Sequence, residues 1–376
     1  MKVTVVGGGI MGLCAARALL KLGATVTVLD QGPLPNPLGA SVDHTRALRS
    51  AYGGNTGYMR MARDARAAWR RVWSDIGADL LVETGLLVLS DGSGTWSPAS
   101  RHALAAAGVP VEDIAPADLA ARYPMLQAAA VADAFHVGDG GVLLAARIVE
   151  GLLGWLEANG ANVHARTPVV AIDPDHAAVE VDSQGHGRWQ IDADSLIVAA
   201  GPWTAKLLPA LGGVARPSRQ VTVYAEPPLE LARAWASAPL IVMDSGSVGL
   251  YVVPPVAGYG LKFGDHRFSL AGDPDDDRTP RDGDARAVVA PAASLLRDFK
   301  RYRLGEARPC FYDVEPEERF VVAPLDGAQR SWVMTGFSGH GFKFGPLLGD
   351  MLAEAVAGRL DGAALTAWAQ GFDGDA

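Results

Sequence analysis

The sequence predicts an α/β chain in which a unit that binds a dinucleotide is interrupted by a second unit built on a mixed β-sheet. Three observations predict it. A glycine-rich turn joins an apolar strand to an apolar helix at residues 3–22; a second strand and glycine turn of the same kind stand near residue 200; and two other stretches, 86–141 and 216–308, show short alternating strands, prolines and loops. The expected division is residues 1–85, 142–215 and 309–376 for the dinucleotide-binding domain, and 86–141 and 216–308 for the inserted substrate domain.

Val3, Thr4, Val5 and Val6 read as a buried parallel strand, and residues 10–22 as a helix closed by Gly23. Residues 25–29 then form the second strand of a βαβ unit. Between strand and helix, Gly7, Gly9 and Gly12 satisfy G-x-G-x-x-G, the Rossmann-type fingerprint, and Asp30 ends the next strand. Gly7 serves the tight turn, Gly9 lets the backbone approach a pyrophosphate, and Gly12 lets helix and strand pack closely. The helix N-terminus at Ile10 and Met11 attracts phosphate, and Asp30 would accept hydrogen bonds from a ribose. The motif alone does not separate FAD from NAD.

Further along, residues 145–159 read as a helix, 162–165 and 195–200 as strands, and Gly201 to Trp203 as the turn that follows. After the loop of residues 273–278 and the second β-rich stretch, a strand at 332–335, a glycine-rich turn and a helix at 345–358 return to the first unit. No internal repeat is present.

Composition narrows the function class. The 376 residues are 49% hydrophobic and 20% charged, with a net charge of -9 and no long basic stretch, so no footprint for nucleic acid or anionic membrane is visible. The apolar runs fall short of the roughly 20 residues that span a bilayer. No leader pattern precedes the first strand, which places the chain in the cytoplasm by expectation. Cys14 and Cys310 are the only cysteines and support neither a disulfide framework nor a metal cluster, so no metal is expected; Cys14 reads as a small core residue. The expected partner is a small molecule.

Four segments carry a more specific signal: Thr45 to Gly53 (TRALRSAYG), Gly260 to His266 (GLKFGDH), Cys310-Phe311-Tyr312, and Gly336 to Phe344 (GFSGHGFKF). With Gly141-Val142-Leu143, Arg219-Gln220 and the turn ending at Trp203, they stand in the order found in the monomeric sarcosine oxidase and N-methyl amino acid oxidase family. These are D-amino acid oxidase-like FAD-dependent oxidoreductases, and the chain resembles them from Lys2 to about Gly358.

The resemblance implies a Rossmann-type FAD-binding domain with a mixed sheet roofing the flavin. It implies FAD contacts at Gly7, Gly9, Ile10, Met11, Gly12, Asp30, Thr45, Arg46, Val169, Gly201, Trp203, Gly339, Gly341, Phe342 and Lys343, and covalent FAD through Cys310. A nucleophilic thiolate would need nearby cations to lower a pKa that is ordinarily about 8.5. Arg49 and Lys343 match the two positions that grip a substrate carboxylate, a guanidinium by two parallel bonds and a lysine as a movable charge. Lys262 matches the lysine that promotes reaction with oxygen. His266 and Arg46 match a histidine and an arginine beside the flavin, with tuning and positioning roles. Met243, Tyr251 and Tyr312 match pocket-lining positions.

The chain departs from the family at Tyr251-Val252, where the family has adjacent tyrosines. A valine there predicts a larger pocket and a bulkier secondary or cyclic amino acid rather than sarcosine. The implied reaction is hydride transfer from the carbon next to nitrogen to covalent flavin, hydrolysis of the imine, and reoxidation by O2 to hydrogen peroxide, in a monomer or small homo-oligomer. Two rivals remain: a flavin dehydrogenase with another electron acceptor, and a non-catalytic FAD-binding subunit.

Overall fold

The computed structural model describes residues 1–183, 187–246 and 249–372. Strand Lys2–Val6 is buried from Val3 onward and lies parallel to Thr25–Leu29, Val3 opposite Val26. Between them helix Ile10–Lys21 starts at Gly9 and stops before Leu22 and left-handed Gly23. The βαβ unit and its boundaries agree with the sequence reading.

Around it a six-stranded sheet runs in the order Val321–Pro324, Ser331–Thr335, Ser195–Val198, Lys2–Val6, Thr25–Leu29, Asn162–His164. All neighbours are parallel except the first pair. Lys2–Val6 is flanked on one side by the strand that follows it and on the other by one nearly two hundred residues away. Such a reversal of strand order opens a crevice at the C-terminal strand ends, and the glycine turn sits there.

One face of this sheet carries helices Ile10–Lys21, Ala145–Ala158, Thr56–Ile76 and Gly345–Val356, joined in one apolar core. A three-stranded antiparallel meander, residues 169–192, covers the other face with Ala177, Val179 and Val181. Gly349 brings the last of these helices onto the first: a Cβ there would lie 2.6 Å from the Cys14 backbone. Cys14 is thus a packing residue, fully buried, its thiol pushed far up by burial.

The second sheet is mixed, as expected. Its eight strands run Arg303–Val314, Arg216–Glu226, Leu261–Asp265, Leu250–Val253, Leu240–Asp244, Leu86–Ser90, Asp133–Val137, Glu112–Asp113. Only Leu240–Asp244 and Leu86–Ser90 are parallel neighbours. One face is packed with Met125, Trp235, Leu295 and their neighbours. Strand Arg303–Val314 crosses the boundary expected at residue 309, so Cys310 and Tyr312 ride on this second sheet. A small sheet of Arg46–Arg49, Gly140–Leu143 and Leu81–Glu83 lies between the units.

Candidate active site

Two cavities meet between the sheets. The first, about 390 Å³, is lined by Gly7, Gly8, Gly9, Ile10, Met11, Asp30, Val169, Gly201, Trp203, Gly341 and others. The second, about 460 Å³, is lined by Arg49, Tyr52, Trp96, Met243, Tyr251, Lys262, His266, His340 and Lys343 among others. Arg46, Tyr312, Gly339 and Phe342 line both and mark the junction.

The first cavity is walled by backbone, because side chains have no room. A Cβ on Gly7, whose φ is +111°, would lie 2.3 Å from Ala199 O, and one on Gly12 would lie 2.0 Å from Gly7 O. Gly12 therefore does its work beneath the cavity, letting helix and strand touch, as the spacing predicts. The first-turn N–H groups of helix Ile10–Lys21 have no acceptor within the helix, and the cavity lies at that end. Asp30, 8% exposed, accepts from Gly8 N at 2.8 Å, and from Gly32 N and Asn36 Nδ2, so one carboxylate shapes the turn as well as lining the cavity. Trp203 donates to Asp275 at 2.6 Å, and both line the cavity. A glycine wall, a helix N-terminus and an acid at the next strand end fit the pyrophosphate and ribose of FAD.

At the junction the turn after strand Ser331–Thr335 presses on Tyr312: a Cβ at Gly339, φ +76°, would fall 2.4 Å from that ring. Cys310 lies two residues before Tyr312 on the same face of its strand, and pairs across the sheet with Gln220. Burial pushes its thiol up, against the opposing pull of Arg46, Lys262 and Arg278. The cations expected near the thiol are present, but desolvation outweighs them.

In the second cavity Arg49 lies over the rings of Tyr52, at 4.7 Å, and Trp96, at 5.2 Å, and donates to Ala51 O. Lys343 Nζ donates to Tyr52 Oη at 2.8 Å and to His340 O at 2.7 Å. Burial first, and Arg49 second, hold the Lys343 ammonium well below its usual pKa. Neither cation has a carboxylate within salt-bridge distance among the described residues, although the chain pairs most of its buried cations, Arg17 with Asp75 and Asp350 for one. His340, held neutral by burial and by Lys343, sits between Tyr52 at 3.3 Å and the carbonyl of Glu318 at 3.2 Å.

The remaining expected residues divide. Met243 and Tyr251 line the cavity, and Tyr251 reaches across Gly264, where a Cβ would lie 2.2 Å from its ring. His266 stands half-exposed at the wall, 2.8 Å from Glu318. Lys262 lines the cavity and is 1% exposed, but its ammonium is bound by Asp43 at 2.5 Å and Thr45 O at 2.9 Å. Thr45 is fully buried behind the junction. Val252 does not touch the cavity: it is completely buried beside Phe263, because neighbours on a strand point to opposite faces. The expectation that this valine enlarges the pocket is thereby corrected; Tyr251 is the residue on the cavity side.

Sequence reasoning missed Asp43, Tyr52, Trp96 and Asp313. Tyr52 lay inside a quoted motif, three residues after Arg49. Asp313 lines the first cavity, its carboxyl pushed up to about 6 by burial. Trp96 is brought in by Gly53, whose Cβ would meet it at 2.8 Å. Only tertiary structure connects those two.

The chain is similar to known proteins along most of its length. The model of the DAO family, described as FAD dependent oxidoreductase, matches residues 2–355. Monomeric sarcosine oxidase of Bacillus sp. (strain NS-129) is 27% identical over 374 residues, covering 96% of this chain and 94% of its own. N-methyl-L-tryptophan oxidase of Yersinia pestis (strain Pestoides F) is 27% identical over 353 residues, 93% of each. Among solved structures, L-proline dehydrogenase from P. horikoshii superposes with a TM-score of 0.81 at 19% identity, covering 98% of this chain and 96% of that one. A variant of NikD, an unusual amino acid oxidase essential for nikkomycin biosynthesis, gives 0.80 at 20% identity, covering 97% and 96%. No helix among the described residues is long and apolar enough to cross a membrane.

Proposed function

The chain belongs to the DAO family of FAD-dependent oxidoreductases, and from that premise we propose that it oxidises the C–N bond of an amino acid bearing a secondary or cyclic amine. The observation that carries this reading is the pair Arg49 and Lys343, two cations in one cavity without a carboxylate of their own, beside the junction with the dinucleotide cradle. A substrate carboxylate would complete them.

The glycine turn at residues 7–12, Asp30, Val169, Gly201 and Trp203 would hold the pyrophosphate and ribose end of FAD. Thr45, Arg46, Gly339, Gly341, Phe342 and Lys343 would lie by its ring, and Cys310 would carry it through a thioether. Bound FAD supplies the redox chemistry, accepting a hydride from the carbon next to nitrogen and returning the electrons to dioxygen as hydrogen peroxide. Arg49 orients the substrate by its carboxylate, and the two cations favour the neutral amine, the form whose lone pair supports hydride loss. Tyr52 holds Lys343 in place, and Met243, Tyr251 and Tyr312 enclose the side chain. The imine product hydrolyses in water. His266 and Arg46 act by charge and position, and Lys262 serves the oxygen step.

The second cavity, about 460 Å³, is of small-molecule size and shares Arg46, Tyr312, Gly339 and Phe342 with the first, so flavin ring and substrate would divide this space between them. Anaerobic mixing of the yellow protein with N-methyl and cyclic amino acids, and with the same amines lacking a carboxylate, tests the reading. Bleaching by the amino acids alone supports it. Equal bleaching by the decarboxylated amines contradicts the clamp.

A further inference from the structure

Behind the junction lies a buried carboxylate for which the reaction above has no role. Asp43 is 6% exposed and lines neither cavity. Its Oδ2 accepts from Lys262 Nζ at 2.5 Å and Arg46 Nη1 at 2.5 Å; its Oδ1 accepts from Tyr224 Oη at 2.8 Å, His44 N at 2.8 Å and Arg308 Nη1 at 3.2 Å. Five donors fill the roughly four lone-pair sites a carboxylate offers. The carboxylate cannot rotate without breaking several of them.

Lys262 spends one N–H on Asp43 and one on the Thr45 carbonyl. An ammonium has three, so one remains for the cavity that Lys262 lines. Arg46, anchored by the same carboxylate and by the carbonyls of Ala40 and Thr45, lines both cavities. Lys262 and Arg46 share this one carboxylate, and Arg308 divides itself between it and Glu306, which leaves surplus positive charge where a reduced cofactor or oxygen would bear negative charge.

We propose that Asp43 is a positioning residue that acts through Lys262, holding it as an oriented cation at the junction so that it meets the oxygen step protonated. This rests on the reading of Lys262 as the group on the oxygen side. Burial brings the Lys262 ammonium down to about 8, with Asp43 pulling it up and Arg46 pushing it down. The other groups facing it are cationic or neutral: Arg46 from strand Arg46–Arg49 and His44 from the loop before it, Tyr224 from strand Arg216–Glu226, Arg308 and Cys310 from strand Arg303–Val314. Asp43 is the one carboxylate in ion-pair contact with Lys262 among the described residues. Without it burial and Arg46 would act unopposed, and Lys262 would lose its proton at a lower pH.

The test reduces the flavin of the holoenzyme anaerobically, mixes it with oxygenated buffer across the neutral and alkaline range, and compares Asp43→Asn, Asp43→Glu, Lys262→Met and the double variant. Asp43→Asn is expected to slow reoxidation by about tenfold at neutral pH, one pKa unit's worth of protonated lysine, and to move the alkaline fall of the profile to lower pH. Asp43→Glu, which keeps the charge, restores most of the rate. Adding Asp43→Asn to Lys262→Met changes reoxidation no further. In thermal unfolding, Asp43→Asn lowers the melting temperature more beside Lys262 than beside Met. Should the single variant not accumulate, the double variant buries no unpaired ammonium, and is expected to accumulate and to reoxidise as Lys262→Met does; a slower double variant contradicts action through Lys262. If Lys262→Met slows reoxidation but Asp43→Asn leaves its rate and pH profile unchanged, the role of Asp43 is overturned and the oxygen reading stands. If Lys262→Met itself has no effect, the oxygen reading fails, and the role of Asp43 with it.

Discussion

The two cavities that meet at Arg46, Tyr312, Gly339 and Phe342 are built in opposite ways. The first is largely a backbone object: glycines at the ends of parallel strands and a helix N-terminus, with Asp30 at the end of the next strand. Its shape follows from positions where a Cβ has no room, and those positions are fixed by local sequence. The second is a side-chain object, assembled from strand Arg46–Arg49, the mixed sheet and the turn before helix Gly345–Val356. Its properties come from what each charge faces: Lys262 has Asp43, whereas Arg49 and Lys343 have only hydroxyl, carbonyl and ring partners. Cations satisfied by the fold tune a site, and cations left without an anion bind one.

Breaking the backbone cavity should have the largest effect. Gly12→Val forces a side chain against Gly7 O and Val5, at a cost of about 3 kcal/mol in overpacking. The purified variant is expected to hold little or no FAD, read from its visible absorbance; full flavin content would show that helix and strand yield there.

Arg49→Ala leaves the fold and the yellow colour intact and weakens transition-state binding by about 1.5–3 kcal/mol, the worth of a charge-assisted hydrogen bond. That is a loss of about ten to a hundredfold in kcat/KM with the best amino acid substrate, and unchanged kinetics would remove the clamp.

Lys343 sharpens the contrast through pH. Its folded pKa is depressed, by burial first and Arg49 second, so the free enzyme loses this charge at a lower pH than an ordinary lysine would. A bound carboxylate favours the charged form. Binding above that pKa must therefore take up a proton, and affinity for a carboxylate inhibitor falls as pH rises, by at most about tenfold per pH unit. Lys343→Met should bind more weakly at neutral pH and lose this slope; a slope retained in the variant would assign it to another group.

The smallest expected effect on the fold is that of Cys310→Ser, a near-isosteric change on a half-buried strand residue costing less than about 1 kcal/mol. Its effect on attachment is all-or-none: acid precipitation is expected to leave the parent pellet yellow and release the colour of the variant. A colourless parent pellet would contradict the thioether.

The contrast also explains what was legible in the sequence. Strands Lys2–Val6 and Thr25–Leu29 and helix Ile10–Lys21 could be read because periodicity and glycine spacing are local signals. Helix Thr56–Ile76 was missed although its signals are equally local: Asn55 caps its first turn, Gly77 ends it, and Tyr58, Met61, Ala65, Trp69 and Val72 mark one buried face. The meander of residues 169–192 escaped because its edge strands are short and largely exposed. In the site, Arg49, Lys262, Lys343, Met243 and Tyr251 were found through resemblance, and the structure brings all five to one cavity. The partners of these residues were not found. Asp43 and Lys262 are 219 residues apart and meet only when the mixed sheet packs on the loop before strand Arg46–Arg49. Val252 misled for a simpler reason, since one step along a strand reverses the face a side chain occupies.

The most direct test of the central claim is peroxide release by the purified protein, supplied with sarcosine, bulkier N-methyl amino acids, proline, pipecolate, and the corresponding amines without a carboxylate. Peroxide from one or more of the amino acids and none from the decarboxylated amines is the predicted result. Peroxide from amines regardless of a carboxylate, or none from any amino acid that bleaches the flavin under anaerobic conditions, would contradict an amino acid oxidase built on Arg49 and Lys343.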